Sequence, residues 1–199
     1  YVTIKDGTFT NDGGAFYIEK SKAHPDILFR NCNFINLHST SNGGAIYNTG
    51  SNLSITGGEF NSNYAYEAGG AIYNNGGTVV IDGTTFDTNT TASDSVAAIG
   101  GGGAIRNQSG TVTIRNNAQF TQNKSRIGGA IDNRGTLNIN GATFSQNEQS
   151  NLTMTTAMGG GAIANSGSLI ISGTGNSFSN NLAYYGGAID NAANATIAG

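Results

Sequence analysis

The chain carries few charged side chains. Asp, Glu, Lys and Arg make up 11% of its 199 residues, and the formal net charge is -3; a typical soluble domain is about 25% charged. A protein that follows the phosphates of a nucleic acid needs clustered Lys and Arg. The composition therefore argues against a nucleic-acid partner, and it predicts a surface made mainly of neutral polar groups.

Cysteine, proline, tryptophan and long apolar runs are also scarce. Cys32 is the only cysteine, so the chain cannot form an internal disulfide. There is one proline and there is no tryptophan. No apolar run approaches the roughly 18 residues of a spanning helix, so the sequence predicts no direct membrane insertion. Low charge and a single thiol suit the outside of a cell.

What the sequence does contain is a repeat. The tripeptide Gly-Gly-Ala occurs seven times, beginning at Gly13, Gly43, Gly69, Gly102, Gly128, Gly160 and Gly186. A phenylalanine precedes each copy, at Phe9, Phe34, Phe60, Phe86, Phe120, Phe144 and Phe178. Upstream of each phenylalanine, apolar and polar residues alternate in a short run, such as "TVVIDG" from Thr78. This alternation is typical of a strand with one buried face.

The repeats predict an all-β fold. Each one contains three short predicted strands: the alternating run, a strand at the phenylalanine and a strand at Ala-Ile. A single unit of about 26 residues cannot bury its apolar positions alone, whereas stacked units can. We therefore expect a single domain over residues 1–199. Its predicted fold is a single-stranded, right-handed parallel β-helix of about seven coils with three short strands each.

Stacking gives each repeated residue a role. The phenylalanines are expected to form one inward column, and a second column is expected from Phe16, Ile46, Ile72, Ile105, Ile131, Ile163 and Ile189. Asparagines from Asn48 to Asn191, two residues after each isoleucine, predict an internal ladder of amide hydrogen bonds. The asparagines of Phe-x-x-Asn, from Asn63 to Asn181, predict a second ladder. The paired glycines predict a bend that is closed to a residue with a Cβ atom.

The alternating Phe-x-x-Asn and Gly-Gly-Ala-Ile motifs resemble the repeats of the chlamydial polymorphic outer-membrane proteins, which are autotransporter-type surface proteins with a β-helical passenger. The resemblance covers nearly the whole chain. Departures lie in the first two repeats, where Asp12 replaces the asparagine, Leu37 ends Phe-Ile-Asn-Leu and Phe16 replaces isoleucine. The resemblance implies secretion, display at the cell surface or outer membrane, and adhesion to a host protein or glycan.

We accordingly expect an adhesin passenger or a structural stalk. The chain opens and stops within strand patterns, which predicts a fragment of a longer solenoid; alternatively, open ends stack on other copies to form a fibre. Its twelve acidic residues are scattered and offer no evident pair for glycoside hydrolysis. We therefore expect no catalytic residues, no metal and no cofactor. A polysaccharide lyase or glycoside hydrolase is the less favoured alternative.

Two segments between Phe-x-x-Asn and Gly-Gly-Ala are longer than their counterparts and are the first candidate for partner binding. They span residues 90–101 and 148–159. Both are expected to leave the fold at the same corner, about 10 Å apart. They would flank Lys124 and Arg126, with Asp94 or Glu148 at the rims. The alternative is that both are tolerant surface loops without a function.

An outward column is the second candidate. The residue after each core isoleucine or phenylalanine is, in turn, Tyr17, Tyr47, Tyr73, Arg106, Asp132, Ala164 and Asp190. Three stacked tyrosines are expected, with Arg106 beside Tyr73. One interpretation of the column is a binding surface for a sugar or a protein partner. The other is ordinary surface packing, with aromatic beside aromatic and cation beside anion.

Overall fold

The computed structural model describes residues 2–20, 26–92, 100–150 and 159–199. Within these ranges every regular element is a β-strand, and every strand pairing is parallel. The strands form one 17-stranded sheet and one 6-stranded sheet. The all-β prediction is confirmed, and the repeat-like parallel arrangement is consistent with a β-helix or solenoid.

The strands recur in the same order along the chain. The larger sheet contains Val2–Lys5, Phe16–Ile18, Asp26–Arg30, Cys32–Ile35, Ile46–Asn48, Asn52–Thr56, Glu59–Asn61, Ile72–Asp82, Thr85–Asp87, Ile105–Thr121, Ile131–Asn133, Thr136–Ser145, Ile163–Asn165, Ser168–Ile171, Ser177–Ser179, Ile189–Asn191 and Asn194–Ile197. The smaller sheet contains Thr8–Phe9, His38–Ser39, Tyr64–Ala65, Thr90–Thr91, Lys124–Ser125 and Glu148–Gln149. Sequence analysis missed the strands of the smaller sheet, because two residues are too few to show an alternating pattern.

Phenylalanine rings form the centre of the core. Each ring from Phe34 to Phe178 pairs in register with its copy in the next repeat. Neighbouring ring centroids are 4.5 to 4.8 Å apart, with interplanar angles of 11° or less. This separation is close to the spacing of neighbouring strands. The backbone pairing therefore brings the rings into contact, and the five rings from Phe34 to Phe144 are fully buried.

Both asparagine ladders are present. In the first ladder each amide donates to the side-chain oxygen of the next asparagine, from Asn48 to Asn191. In the second ladder, from Asn63 to Asn181, each amide donates in the same way. It also donates to a phenylalanine carbonyl of the preceding repeat. These buried amides thus obtain their hydrogen bonds from their own copies and from nearby backbone.

The first repeat departs from the predicted register. Phe9 pairs with Ser39 in the smaller sheet, while Ile4 pairs with Phe34 in the larger one. The prediction that Phe9 heads the phenylalanine column was therefore wrong. Phe9 precedes its Gly-Gly-Ala by four residues, whereas Phe34 precedes its own by nine. The shorter spacing places Phe9 one strand further along the repeat, where its side chain is exposed.

The paired glycines are required for two different reasons. The first glycine of every pair has a positive φ, between 54° and 81°. The second glycine lies directly against the next repeat. At Gly103, for example, an added Cβ would fall far inside van der Waals contact of the Gly129 carbonyl oxygen and the backbone of Lys124. The expected bend that is closed to a Cβ atom is confirmed.

Candidate functional site

Three tyrosines stack on the outer face of the larger sheet. Tyr17, Tyr47 and Tyr73 pair in register. The ring centroids of Tyr17 and Tyr47 are 5.3 Å apart, and those of Tyr47 and Tyr73 are 5.0 Å apart. The interplanar angles are 2° and 4°. We call these three residues the tyrosine strip, and its predicted stacking is confirmed.

The geometry of the tyrosine strip decides which part of each ring a partner can reach. Both faces of the Tyr47 ring are covered, one by Tyr17 and the other by Tyr73. For Tyr47, the ring edge and the hydroxyl group are the parts left for contact. The Tyr17 side chain is 57% exposed, and Tyr47 and Tyr73 are partly buried. The strip therefore offers a row of ring edges and hydroxyl groups that strand pairing holds in place.

The pKa values of Tyr47 and Tyr73 are raised, so their hydroxyl groups remain protonated in neutral solution. Burial raises the pKa of Tyr47, and the nearby carboxylates of Asp12 and Glu67 act in the same direction, while a hydrogen bond from the Asn75 side chain opposes them. Burial also raises the pKa of Tyr73, against the effect of Arg106. Both hydroxyl groups are therefore available as hydrogen-bond donors.

An acidic corner borders the tyrosine strip. The Asp12 carboxylate accepts hydrogen bonds from the backbone and side-chain nitrogens of Asn42, at 2.9 and 3.1 Å. The Asn42 amide also donates to Glu67 Oε2, at 2.9 Å. One amide thus holds two carboxylates from different repeats close to each other. We call Asp12, Asn42 and Glu67 the acidic corner; Glu67 is exposed and Asp12 is partly buried.

The outward column continues below Tyr73 as a buried ion pair. Arg106 lies beside Tyr73 and pairs in register with Asp132. The two side chains form a salt bridge and are only 6% and 1% exposed. The Gln108 side-chain oxygen accepts two further hydrogen bonds from the Arg106 guanidinium, at 3.1 and 2.7 Å. The placement of Arg106 beside Tyr73 is confirmed, but the interpretation of Arg106 as part of an exposed binding strip was wrong.

Glycine backbone covers the ion pair. A Cβ atom added at Gly101 would collide with the carboxylate of Asp132 and the guanidinium of Arg106, so the backbone of Gly101 lies directly on the pair. Four consecutive glycines, 100–103, occur here instead of the usual two. The extra glycines are the signal in the sequence from which the burial of Arg106 and Asp132 could have been predicted, because residues without a side chain allow the backbone to lie directly on the pair.

Burial disfavours the charged forms of both partners. It lowers the pKa of Arg106, although Asp132 opposes the shift. It raises the pKa of Asp132, although Arg106 and Arg134 oppose the shift. The Arg134 guanidinium is 3.8 Å from the same carboxylate oxygen and is more exposed. Taken out of water in this way, each partner depends on the other, and the pair is structural in character.

Replacing Asp132 with asparagine is expected to lower the free energy of unfolding by about 3 kcal/mol, because a buried arginine then loses its counter-charge. Urea unfolding followed by circular dichroism measures the loss. Asp82→Asn is the control, since it breaks the Asp82–Arg115 ion pair, in which Arg115 is 51% exposed, and should cost less than about 1 kcal/mol. Equal losses in the two variants would contradict a special role for the buried pair.

The structure brings into contact two residues of the predicted groove, Lys124 from its floor and Glu148 from its rim. Lys124 Nζ lies 2.9 Å from Glu148 Oε1, across neighbouring strands of the smaller sheet, and both side chains are partly exposed. Arg126 is 9% exposed, so it offers little surface. Asp94 lies outside the described residues, as do 93–99 and 151–158. The groove between the two long segments therefore stays a prediction.

A different groove, which sequence analysis did not predict, lies on the smaller sheet. It has a volume of about 370 Å³ and is lined by Thr8, His38, Ser39, Thr40, Tyr64 and Tyr66. The rings of His38 and Tyr64 pack at a centroid distance of 5.6 Å and an angle of 43°. We call it the tyrosine–histidine groove. The Tyr-Ala-Tyr alternation at residues 64–66 is its one signal in the sequence.

No metal site or membrane helix is evident in the described part of the chain. Its His, Cys, Asp and Glu residues include no group of three or more that could hold a metal ion. None of its segments is a helix with the length and apolar character needed to cross a bilayer.

Comparisons with known proteins found no relative of this chain. A scan against protein-family models, a search of curated proteins and a search of solved structures each found no match. The resemblance of the repeats to the chlamydial surface proteins therefore stays a hypothesis.

Proposed function

We propose that the chain is a right-handed parallel β-helix of about seven coils that is displayed outside the cell as an adhesive passenger or stalk. The right hand is supported by the strong preference of parallel crossover connections for that hand. The number of coils is supported by the seven copies of Gly-Gly-Ala. Continuous parallel register from repeat to repeat supports the stalk, because it makes each strand a template for the next.

The main support for adhesion is the stack of Tyr17, Tyr47 and Tyr73 on the outer face of the larger sheet. Tyrosine is enriched at protein interfaces, where it supplies a large contact area at a small cost in conformational entropy. Stacking has already restricted these side chains, so little further entropy is lost on binding. The tyrosine strip is therefore a favourable contact surface for a partner on a host cell.

A protein fits the tyrosine strip better than a sugar does. A sugar ring binds an aromatic side chain through the face of the aromatic ring, and both faces of Tyr47 are occupied by its neighbours. The exposed edges and hydroxyl groups suit the groups of a protein surface instead. The carboxylates of Asp12 and Glu67 next to the strip favour a partner patch that contains Lys or Arg.

Binding of the purified chain to cultured epithelial cells, measured by flow cytometry, tests this proposal. Replacing Tyr17, Tyr47 and Tyr73 together with threonine is expected to weaken cell binding roughly tenfold or more. The loss should follow from missing contact area, since threonine is well accepted in strands. Treating the cells with protease should abolish binding, whereas treating them with glycosidases should not.

The matched control replaces two tyrosines elsewhere on the surface. Tyr184 and Tyr185 are 47% and 45% exposed and pack against each other, and they lie far along the chain from the tyrosine strip. Their double replacement with threonine should leave cell binding unchanged. If wild-type chain does not bind cells, or if both variants bind equally well, adhesion through the tyrosine strip is disproved.

A further inference from the structure

The tyrosine–histidine groove is a second candidate binding site, separate from the tyrosine strip. It lies on the smaller sheet, and none of its six lining residues is Asp, Glu, Lys or Arg. Its volume of about 370 Å³ falls near the lower end of the roughly 300–1,000 Å³ that is usual for small-molecule sites. A ligand of one or two six-membered rings has a suitable size.

Strand pairing builds the walls of this groove. Thr8, His38 and Tyr64 are paired in register on three neighbouring strands. Thr40 and Tyr66 lie two residues after His38 and Tyr64, so they project to the same side of the sheet. Two rows of side chains therefore line the groove, and backbone hydrogen bonds between neighbouring repeats hold both rows in place.

Hydrogen bonds outside the groove orient the His38 ring. Its Nε2 atom lies 3.1 Å from the Asn36 side-chain oxygen. The Asn36 amide nitrogen donates to Asp6 Oδ1 at 2.9 Å, which sets the direction of the amide. Because the Asn36 oxygen can only accept, Nε2 donates the hydrogen of this bond, and the ring is held against Tyr64. The orientation of the His38 ring is therefore set before any ligand binds.

Apart from the His38 imidazole, the polar groups of the side chains that line the groove are hydroxyl groups. Ser39 is occupied, because its hydroxyl donates to the Asn11 carbonyl at 2.6 Å. The hydroxyls of Thr8 and Thr40 make no hydrogen bond to any of the described residues, and both residues are exposed. The groove thus combines aromatic surface with neutral donors and acceptors that face solvent.

We propose that the tyrosine–histidine groove binds a neutral sugar residue. The apolar C–H face of a sugar ring packs on an aromatic ring, and its hydroxyl groups exchange hydrogen bonds with threonine hydroxyls. A phosphorylated or acidic ligand would find no Lys or Arg in the described lining. It would also be repelled by Glu67, which follows Tyr66, and by Asp6 behind Asn36. A lipid would leave the hydroxyl groups of the lining without partners.

Titration of the isotope-labelled chain with single sugars, followed by chemical-shift changes in NMR spectra, tests the proposal. Glucose, galactose, mannose and N-acetylglucosamine are the neutral probes; glucuronic acid and sialic acid are the anionic ones. At least one neutral sugar is expected to bind and to shift the signals of Thr8, Thr40 and Tyr66. Tyr66→Ala is expected to weaken that binding about five- to tenfold, which corresponds to about 1–1.4 kcal/mol.

Tyr184→Ala is the matched control for Tyr66→Ala. The bridge between Glu148 and Leu182 places Tyr184 at the position in its repeat that Tyr66 holds in an earlier one. The two side chains are 47% and 43% exposed. Equal thermal unfolding midpoints would show that both variants fold. The proposal is overturned if no neutral sugar binds, if an anionic sugar binds more tightly, or if the two variants bind alike. Because the tyrosine strip is unchanged in both variants, failure here leaves the proposed cell adhesion untouched.

Discussion

A chain in which Gly103 is replaced by alanine is expected not to fold. The methyl group would collide with the carbonyl oxygen of Gly129 and with the backbone of Lys124. Both are backbone groups of the next repeat that are already hydrogen-bonded, since Gly129 O accepts from Gly103 N and Lys124 N donates to Asn89 O, so they cannot move without breaking these bonds. We expect a loss of more than about 5 kcal/mol, which is large against a total stability of about 5–15 kcal/mol. Far-UV circular dichroism and thermal unfolding measure it.

Gly83→Asn is the control, because it adds a side chain at a glycine that lies in a turn. Gly83 has a φ of 60°, and the equivalent turn residues Asn31 and Asn116 have φ values of 51° and 57°. Asparagine tolerates this conformation better than most residues. The variant should therefore change stability by less than about 1 kcal/mol. A cooperative, near-wild-type unfolding transition of Gly103→Ala would show that the repeats do not pack as tightly as described.

Replacing Asn89 with leucine is expected to lower the free energy of unfolding by about 4 kcal/mol. The Asn89 oxygen accepts from the backbone and side-chain nitrogens of Asn63, and its amide donates to the Phe60 carbonyl. All these groups are buried, and each one left without a partner costs about 1–3 kcal/mol. Urea unfolding measures the difference from the wild-type chain.

Leucine is a suitable replacement because the same column already contains one. The backbone nitrogen of Leu37 donates to Asn63 Oδ1, as the backbone of each ladder asparagine does to the next one. Leu37 therefore holds the ladder position in the repeat before Asn63, and it is fully buried there. The shape of leucine therefore fits, and the loss should reflect hydrogen bonding. Asn138→Leu is the control, since its outward column already holds Leu28 and Ile170. A similar small effect of both changes would mean that the ladder contributes little to stability.

The contacts of the repeated residues could be predicted from the sequence, because in a stack of repeats each residue lies beside the equivalent residue of the next repeat. If each unit pairs with the next in register, Phe60 must meet Phe86, and Asn89 must meet Asn123. The error at Phe9 has the same origin, since the motif was matched there without its spacing to Gly13. Motif and spacing together would have excluded Phe9 from the phenylalanine column.

The candidate sites were only partly predictable. The stack of Tyr17, Tyr47 and Tyr73 followed from register alone, because identical side chains at one outward position must lie over one another. The burial of Arg106 did not follow, because the same outward position is covered in that repeat by the backbone of Gly101. The tyrosine–histidine groove lies on strands of two residues, which leave no periodic pattern.

The amino-acid sequence by itself determined which residues are equivalent and which of them face inward, since periodicity and copy number are properties of the chain. The tertiary structure alone decided which outward side chains remain accessible and which distant ones line a common groove. Accessibility depends on how the segments that do not repeat pack over those that do. Such packing is a matter of contact in three dimensions and has no period in the sequence.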